Sequence, residues 1–347
     1  MNKGTLCFDK SMTSIIKGIG MILMMCLHCY NVGYYYGATL DWHLSLDKLG
    51  IGFNLCIGIF AFMVGYGYAF SKTKDWRYGI KHIWKMLLPY YVILFLFTVP
   101  FALDEIKERG IGNFLCNLVG LKGNLNYFNW FIYYYIYLMI VLPWVSKAIK
   151  RYPVINALLI CVVSYAIEAV VHRYLADMMG ECAHKAVYNC LRYTPVAVLG
   201  LLFSQERYYE RLHIGKYPAW LVGLLSILTI VIVLLLTGKR LLVMGFQLDF
   251  FYVPVLIGAV VILFNKCKLG PLRRLLKKIG DISVYMWFFH ALFFTACVSW
   301  FYQPAITIFK DINLVVLWTM LITFISSWLI KTIVDRITLA LTKSNGH

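Results

Sequence analysis

Charge is what this chain has least of. Only 14% of its 347 residues are charged, against about 25% in soluble globular domains. That is too few to cover a water-facing surface, which excludes an ordinary soluble fold. Acidic residues are scarcest, 16 against 33 basic, for a formal charge of +17. Such a surplus would attract nucleic acid if it were clustered, but here the basic residues alternate with apolar runs, so no nucleic-acid partner is expected. Long polar stretches are missing too. The longest connections between apolar runs, 103–126 and 175–186, cannot build a core of their own, so a single membrane domain over residues 1–347 is expected. The first apolar run has no small-residue cleavage site and reads as a retained span.

What is present is apolar: 61% of the residues are hydrophobic, in runs such as Leu221 to Leu236 and Val253 to Phe264. A bilayer core of ~30 Å takes about 20 residues of helix, and only a segment that satisfies its own backbone can lie in lipid. The expected fold is all-α, a polytopic integral membrane helical bundle. Ten runs qualify: 15–35, 50–70, 86–102, 127–146, 154–174, 187–204, 218–237, 246–265, 280–302 and 313–330. Ile111 to Leu121 is too short to span and is expected at the interface or as a re-entrant piece. Counted over alternate connections, about two thirds of the Lys and Arg fall on the side of the N-terminus, which places both termini in the cytoplasm and the protein in the cell membrane, plasma or inner. The ten cysteines are scattered. Cys26 and Cys29 read as small packing residues, and a bridge between Cys182 and Cys190 is conceivable on the outer side. Asp281 and Ser283 form a polar start for the ninth span.

Ionisable groups inside spans are costly and mark function by default. Glu168, Arg192 and Asp249 lie toward outer helix ends, where snorkelling or an ion pair accounts for them. His28 and His290 are expected near mid-bilayer. A buried histidine is equally able to bond a neighbour and do nothing more. Lys17 precedes His28 by eleven residues, close to three helical turns, so both point the same way ~16 Å apart. Lys81 and Lys85, four apart, share a face one turn before Pro89. Positive-inside anchoring explains these lysines one by one. Taken together they describe a basic cytoplasmic mouth leading to a buried imidazole, suited to a phosphate-rich ligand with a long thin arm. The aromatic run from Tyr127 to Tyr137 reads as an interfacial belt.

Four segments resemble, in order, the motifs of the acyltransferase-3 family of membrane O-acyltransferases. They are SIIKGIGMILMMCLHCY, with a basic residue and then a histidine; HIWKMLLPYY; NWFIYYYIYLMIVLP; and IGDISVYMWFFHALF, with Gly280, Ser283, Tyr285 and His290. The chain departs from the family by carrying Lys17, Lys81 or His82, and Lys85 where arginine is usual, which keeps charge but loses the planar fork for phosphate. The resemblance implies transfer of an acyl group, mostly acetyl from acetyl-CoA, to a glycan hydroxyl. Its implied partners are acyl-CoA, a glycan or sugar acceptor and the lipid bilayer, with no metal. It implies coenzyme phosphates at Lys17, Lys81, His82 and Lys85, His28 as general base, His290 or Tyr285 as donor to the oxyanion, and Asn129 and Trp130 facing the acceptor. Burial favours the neutral imidazole a base requires. Two other classes stay open on the residues alone: a transporter or exporter using the histidines as a proton relay, and a non-catalytic scaffold that keeps the fold.

Overall fold

The structure is a computed structural model that describes residues 6–31, 51–71, 76–215, 217–243 and 248–344. Among these, every regular element is helical and no strand forms. The principal helices are α1 (Lys10–Asn31), α2 (Leu55–Ala69), α3 (Trp76–Ile93), α4 (Leu103–Leu118), α5 (Phe131–Ala148), α6 (Pro153–Val170), α7 (Glu181–Gln205), α8 (Ala219–Val243), α9 (Asp249–Lys266), α10 (Gly270–Asp281), α11 (Ser283–His290), α12 (Ala296–Tyr302) and α13 (Ile312–Ser344). Among the described residues nine helices are long and apolar enough to cross a membrane, and ten if the pair Ser283–Phe293 and Ala296–Ala305, bent by 89°, counts as one span. Each of the ten expected runs falls on one of these helices or on the bent pair, but the outlines differ: the sixth begins at Glu181 and the tenth extends to Leu339. The ninth is broken rather than continuous. The third begins at Trp76 instead of residue 86 and continues through a π-helical turn, Leu94–Thr98, to Phe101. Residues 32–35 of the first expected run, residue 50 of the second and 246–247 of the eighth lie outside the described residues. The faces of α6 and α8 leave Leu158, Val162, Ile227 and Ile232 exposed, an apolar surface that lipid, not water, would cover.

The connection 103–126 holds no span. It folds as α4, broken at Gly110 (φ 75°), and is not among the helices long and apolar enough to cross a membrane. The basic stretch before the ninth expected span folds as helix α10. Its Leu276 and Ile279 are buried, while Arg274, Lys277 and Lys278 are exposed, as in a helix lying at an interface. Cys182 and Cys190 are both free thiols. They sit eight residues apart on α7, ~12 Å along one axis, and a disulfide tolerates Cα separations of only about 7 Å.

The chain divides into two compact units. Of the described residues, those within 6–31, 51–83 and 133–281 form the first, and those within 84–132 and 282–344 the second. The first is held by close helix crossings at glycine. A Cβ on Gly280 would stand 1.8 Å from the Ser14 carbonyl oxygen, and one on Gly18 would stand 2.1 Å from that of Leu276, so α1 and α10 touch backbone to backbone. Gly65 of α2 and Gly200 of α7 make the same kind of contact, against Ala197 and Phe62. Lipid gives no hydrophobic drive between helices, so small residues that let backbones approach supply the packing. The second unit packs α11 against α13 and ties the connection 119–130 to α3, α4 and α11 by side-chain amides.

Gly280→Ala is therefore expected to lower the melting temperature of the purified protein in detergent, at a cost of about 1–3 kcal/mol for overpacking. Gly67→Ala, on the open face of α2 with nothing within 4 Å of the added carbon, should leave it unchanged. Equal melting of the two variants would contradict the α1–α10 contact.

Candidate active site

In the first unit, Lys17 stands half-buried on α1, beside the C-terminus of α10. Ser14 Oγ donates to Asp281 Oδ1 at 2.6 Å, and Lys277 Nζ donates to Asp281 Oδ2 at 2.8 Å. Burial alone would raise the Asp281 carboxyl. The hydrogen bonds from Lys277 and Ser14, with the charges of Lys277 and Lys17, hold it below its ordinary value. The expected polar cap of the ninth span is thus not made. Asp281 ends α10, the cap position of α11 falls to Ile282 with no side-chain bond, and the carboxylate turns to α1. The lysine expected at a basic mouth has an acidic neighbour.

His28 lies in the last turn of α1, half-buried. Over the described residues the span runs Lys10–Tyr30, and His28 lies one turn before the described part of it stops. Between Lys17 and His28 the same stripe carries Met21 and Met24, both buried. The lysine and the imidazole mark the two ends of a stripe packed with thioether side chains, which adapt to irregular surfaces.

Lys81 and Lys85 are exposed on α3, which extends ten residues further toward the N-terminus than expected, so both fall inside the helix. His82 turns inward. Its Nδ1 donates to the Tyr78 carbonyl at 2.8 Å and its ring stacks on Tyr78 at 3.8 Å, with Tyr68 edge-on beyond. These residue types on one helix face divide into two exposed ammonium groups and one packed imidazole.

The second unit holds the more ordered polar centre. His290 is fully buried. Its Nδ1 lies 3.0 Å from the Met286 carbonyl oxygen. A carbonyl only accepts, so Nδ1 carries the proton, and Nε2 of the neutral ring is the lone-pair nitrogen. The ring stacks on Phe128, centroids 5.1 Å apart and nearly parallel. In this form the His290 Nδ1–H is spent on the Met286 carbonyl. Tyr285, the other residue expected as an oxyanion donor, is buried on the same helix.

Asn129 is 1% exposed. Its Nδ2 donates to the Lys122 carbonyl at 2.7 Å, the Tyr90 hydroxyl at 3.1 Å and the Asn117 carbonyl at 3.3 Å. Asn117, fully buried on α4, is the hub. Its carbonyl also accepts from Tyr90 Oη at 2.7 Å, its Oδ1 from the Leu125 N–H at 3.1 Å, and its Nδ2 donates to Asn124 Oδ1 at 2.8 Å. Gly120 makes this closure possible. At φ +80° it ends α4, and the Asn129 carbonyl comes within 2.5 Å of where its Cβ would be. Trp130 is half-buried, edge-on to Phe131.

The sequence reading picked Asn129 and missed Tyr90, Asn117 and Asn126. A signal was available: Asn113, Asn117, Asn124, Asn126 and Asn129 crowd the residues before an apolar span, where amides have no reason to gather unless they bond one another or a ligand.

A family model described as an acyltransferase domain matches residues 14–333. No curated protein and no solved structure matches the chain.

The Asp281 contact has a pH signature. A carboxyl held below its unfolded value of 3.8 contributes stability above that pH and loses it as pH falls through the lower folded value. Asp281→Asn should cost on the order of 1 kcal/mol at neutral pH, a small figure because the ion pair is partly exposed. The gap from wild type should close in unfolding measurements carried below about pH 3. A gap independent of pH would show that the carboxylate charge does not hold α1 to α10.

Proposed function

The chain belongs to the acyltransferase-3 family, and we propose that it moves an acyl group, acetyl foremost, from cytoplasmic acyl-CoA to a hydroxyl of a cell-surface or extracellular polysaccharide. The observation that carries the reading is the family match over residues 14–333, joined to imidazoles held in apolar helices at the motif positions His28 and His290. Neutral imidazole is the side chain whose proton affinity suits a base near neutral pH.

In the reaction, His28 takes the proton of the acceptor hydroxyl as its oxygen attacks the thioester carbonyl. The C–O bond forms and the C–S bond breaks. The thiolate leaves and recovers the proton from the imidazolium, giving the O-acyl glycan and free CoA. A thiolate is a good leaving group and needs little acid help. The tetrahedral oxyanion needs a donor, a role assigned to the Tyr285 hydroxyl. Lys17, Lys81, His82 and Lys85 are assigned to the coenzyme phosphates. Lysine serves there as a point charge rather than a bidentate fork, so donor binding should depend strongly on ionic strength. Asn129 and Trp130 are assigned to the acceptor.

His28→Ala, recovered in the membrane at the wild-type level, should reduce acylation of surface glycan by about 10²–10⁴-fold, read as ester-linked acyl groups by mass spectrometry of the isolated polysaccharide. Wild-type acylation in that variant would remove the base assignment. Counterflow of a solute in proteoliposomes without any CoA would favour transport instead.

A further inference from the structure

Two apolar stripes face each other across α8 and α9. Leu221, Leu225 and Thr229 recur at four-residue steps on α8, and Val255, Ala259 and Ile262 at steps of four and three on α9, so each set lies on one helix face. Both sets line one cavity of about 680 Å³, with Tyr209 and Tyr217 of the connection before α8 on a further side. Its floor is buried, as at Val222 and Ala259, while its rims are open, Leu225 being 54% and Val255 50% exposed. The result is a trough along two helices that are each long and apolar enough to cross a membrane. Its open side therefore meets hydrocarbon rather than water.

The hydroxyl protons in the walls are spent inside the protein. Ser226 Oγ donates to the Val222 carbonyl, Thr229 Oγ1 to that of Leu225 and Tyr209 Oη to that of Pro254, each at 2.8 Å. A water molecule needs two to four polar partners to be held in such a space, so an apolar chain suits it better. One end differs. Lys266 follows Ile262 by four residues, on the same stripe one turn beyond the trough. Cys267 Sγ donates to the Ala219 carbonyl at 3.6 Å, which keeps this end of α9 beside the start of α8, next to Tyr217. Lys268 follows, exposed. Among the described residues neither ammonium group pairs with a carboxylate; the ion pairs formed there involve other side chains. This end is the one expected to face the cytoplasm.

We propose that the trough holds one acyl chain of an anionic bilayer phospholipid, with its phosphate at Lys266. A hydrocarbon tail joined to a negative head satisfies both parts of the site. A neutral lipid would leave the lysines without a counter-charge, and a free anion would leave the trough unfilled. The lipid would lie against Tyr209. Gly258 lets that ring approach α9, since a Cβ there would stand 3.3 Å from it, and the same ring stacks on Phe8, just ahead of α1, with centroids 5.5 Å apart. A bound chain thus braces an aromatic contact that leads into α1. All of these groups belong to the first unit, and the proposal does not depend on the acyl-transfer reading.

The test uses the full-length protein, delipidated in detergent and titrated with palmitoyl-oleoyl-phosphatidylglycerol or with phosphatidylcholine of the same chains. Bound lipid is counted by native mass spectrometry while melting temperature is followed in parallel. The wild type should retain one phosphatidylglycerol per chain, melt higher with it, and bind phosphatidylcholine more weakly. Lys266→Gln should weaken phosphatidylglycerol binding about fivefold, the worth of one lysine beside an anionic lipid, and leave phosphatidylcholine unchanged. Leu225→Trp, on the exposed rim, should fill the trough and lose bound lipid of either kind; if it is not recovered folded, Lys266→Gln decides alone. Equal binding of the two lipids by the wild type, or undiminished phosphatidylglycerol binding in the folded variants, would overturn the proposal and leave only the lipid that surrounds any membrane protein. Tighter binding of a polyprenyl phosphate than of phosphatidylglycerol would overturn it too, by giving the trough a different occupant.

Discussion

A polar group buried in a lipid-embedded protein must find its partner within the protein, and the rest of this structure follows from that constraint. Most of the chain meets it by being helical. Where the backbone leaves the helix inside the second unit, side chains take over. Asn117 and Asn129 bind the carbonyls and N–H groups of the connection 119–130, and Thr295 covers the break between α11 and α12, accepting from Tyr127 and donating to the Ala291 carbonyl at 2.7 Å. The π-helical turn in α3 shows the same response. Beside it the Phe97 carbonyl accepts from Tyr302 Oη at 2.7 Å. Among the described residues the satisfaction is incomplete, and the amide oxygens of Asn126 and Asn129 are among the buried side-chain atoms without a hydrogen-bond partner. Buried unsatisfied groups in native proteins are few and call for an explanation.

The architecture was legible because hydropathy in lipid is a strong signal. Spans such as Ala219–Gly238 stand out from their run of Leu, Ile and Val alone. The errors came at places where helix and hydropathy part company. Trp76 to Lys85 is amphipathic and basic, so its helix was read as a loop, and α10 was hidden in the same way by its Arg and Lys. The break near Thr295 leaves no trace in hydropathy because its residues stay apolar on both sides of the bend.

The candidate site was less legible, and for a different reason. Motif positions give residue types, not the use to which each nitrogen or oxygen is put. His290 was read as a possible donor, a reading its residue type alone allows, but the sequence does not show that the Met286 carbonyl one turn earlier takes its Nδ1–H. Lys17 was read as a cation at a basic cytoplasmic mouth. Asp281, taken for a helix cap, proved to be its acidic neighbour, because Gly18 and Gly280 bring α1 and α10 into backbone contact. The asparagine cluster belongs to no motif, and only its density before a span hinted at a network. Chemistry in such a site depends less on charged residues than on where lone pairs and N–H groups are fixed in a dry surrounding, where they act more strongly than in water.

The most direct measurement of the central claim is stoichiometry. Purified wild-type protein in proteoliposomes, given acetyl-CoA and ester-free surface polysaccharide, should release one free thiol for each alkali-labile acetyl ester gained by the polysaccharide, with neither formed when the polysaccharide is left out. Esters appearing without thiol release, or neither product from well-folded protein, would contradict acyl transfer as the activity of this chain.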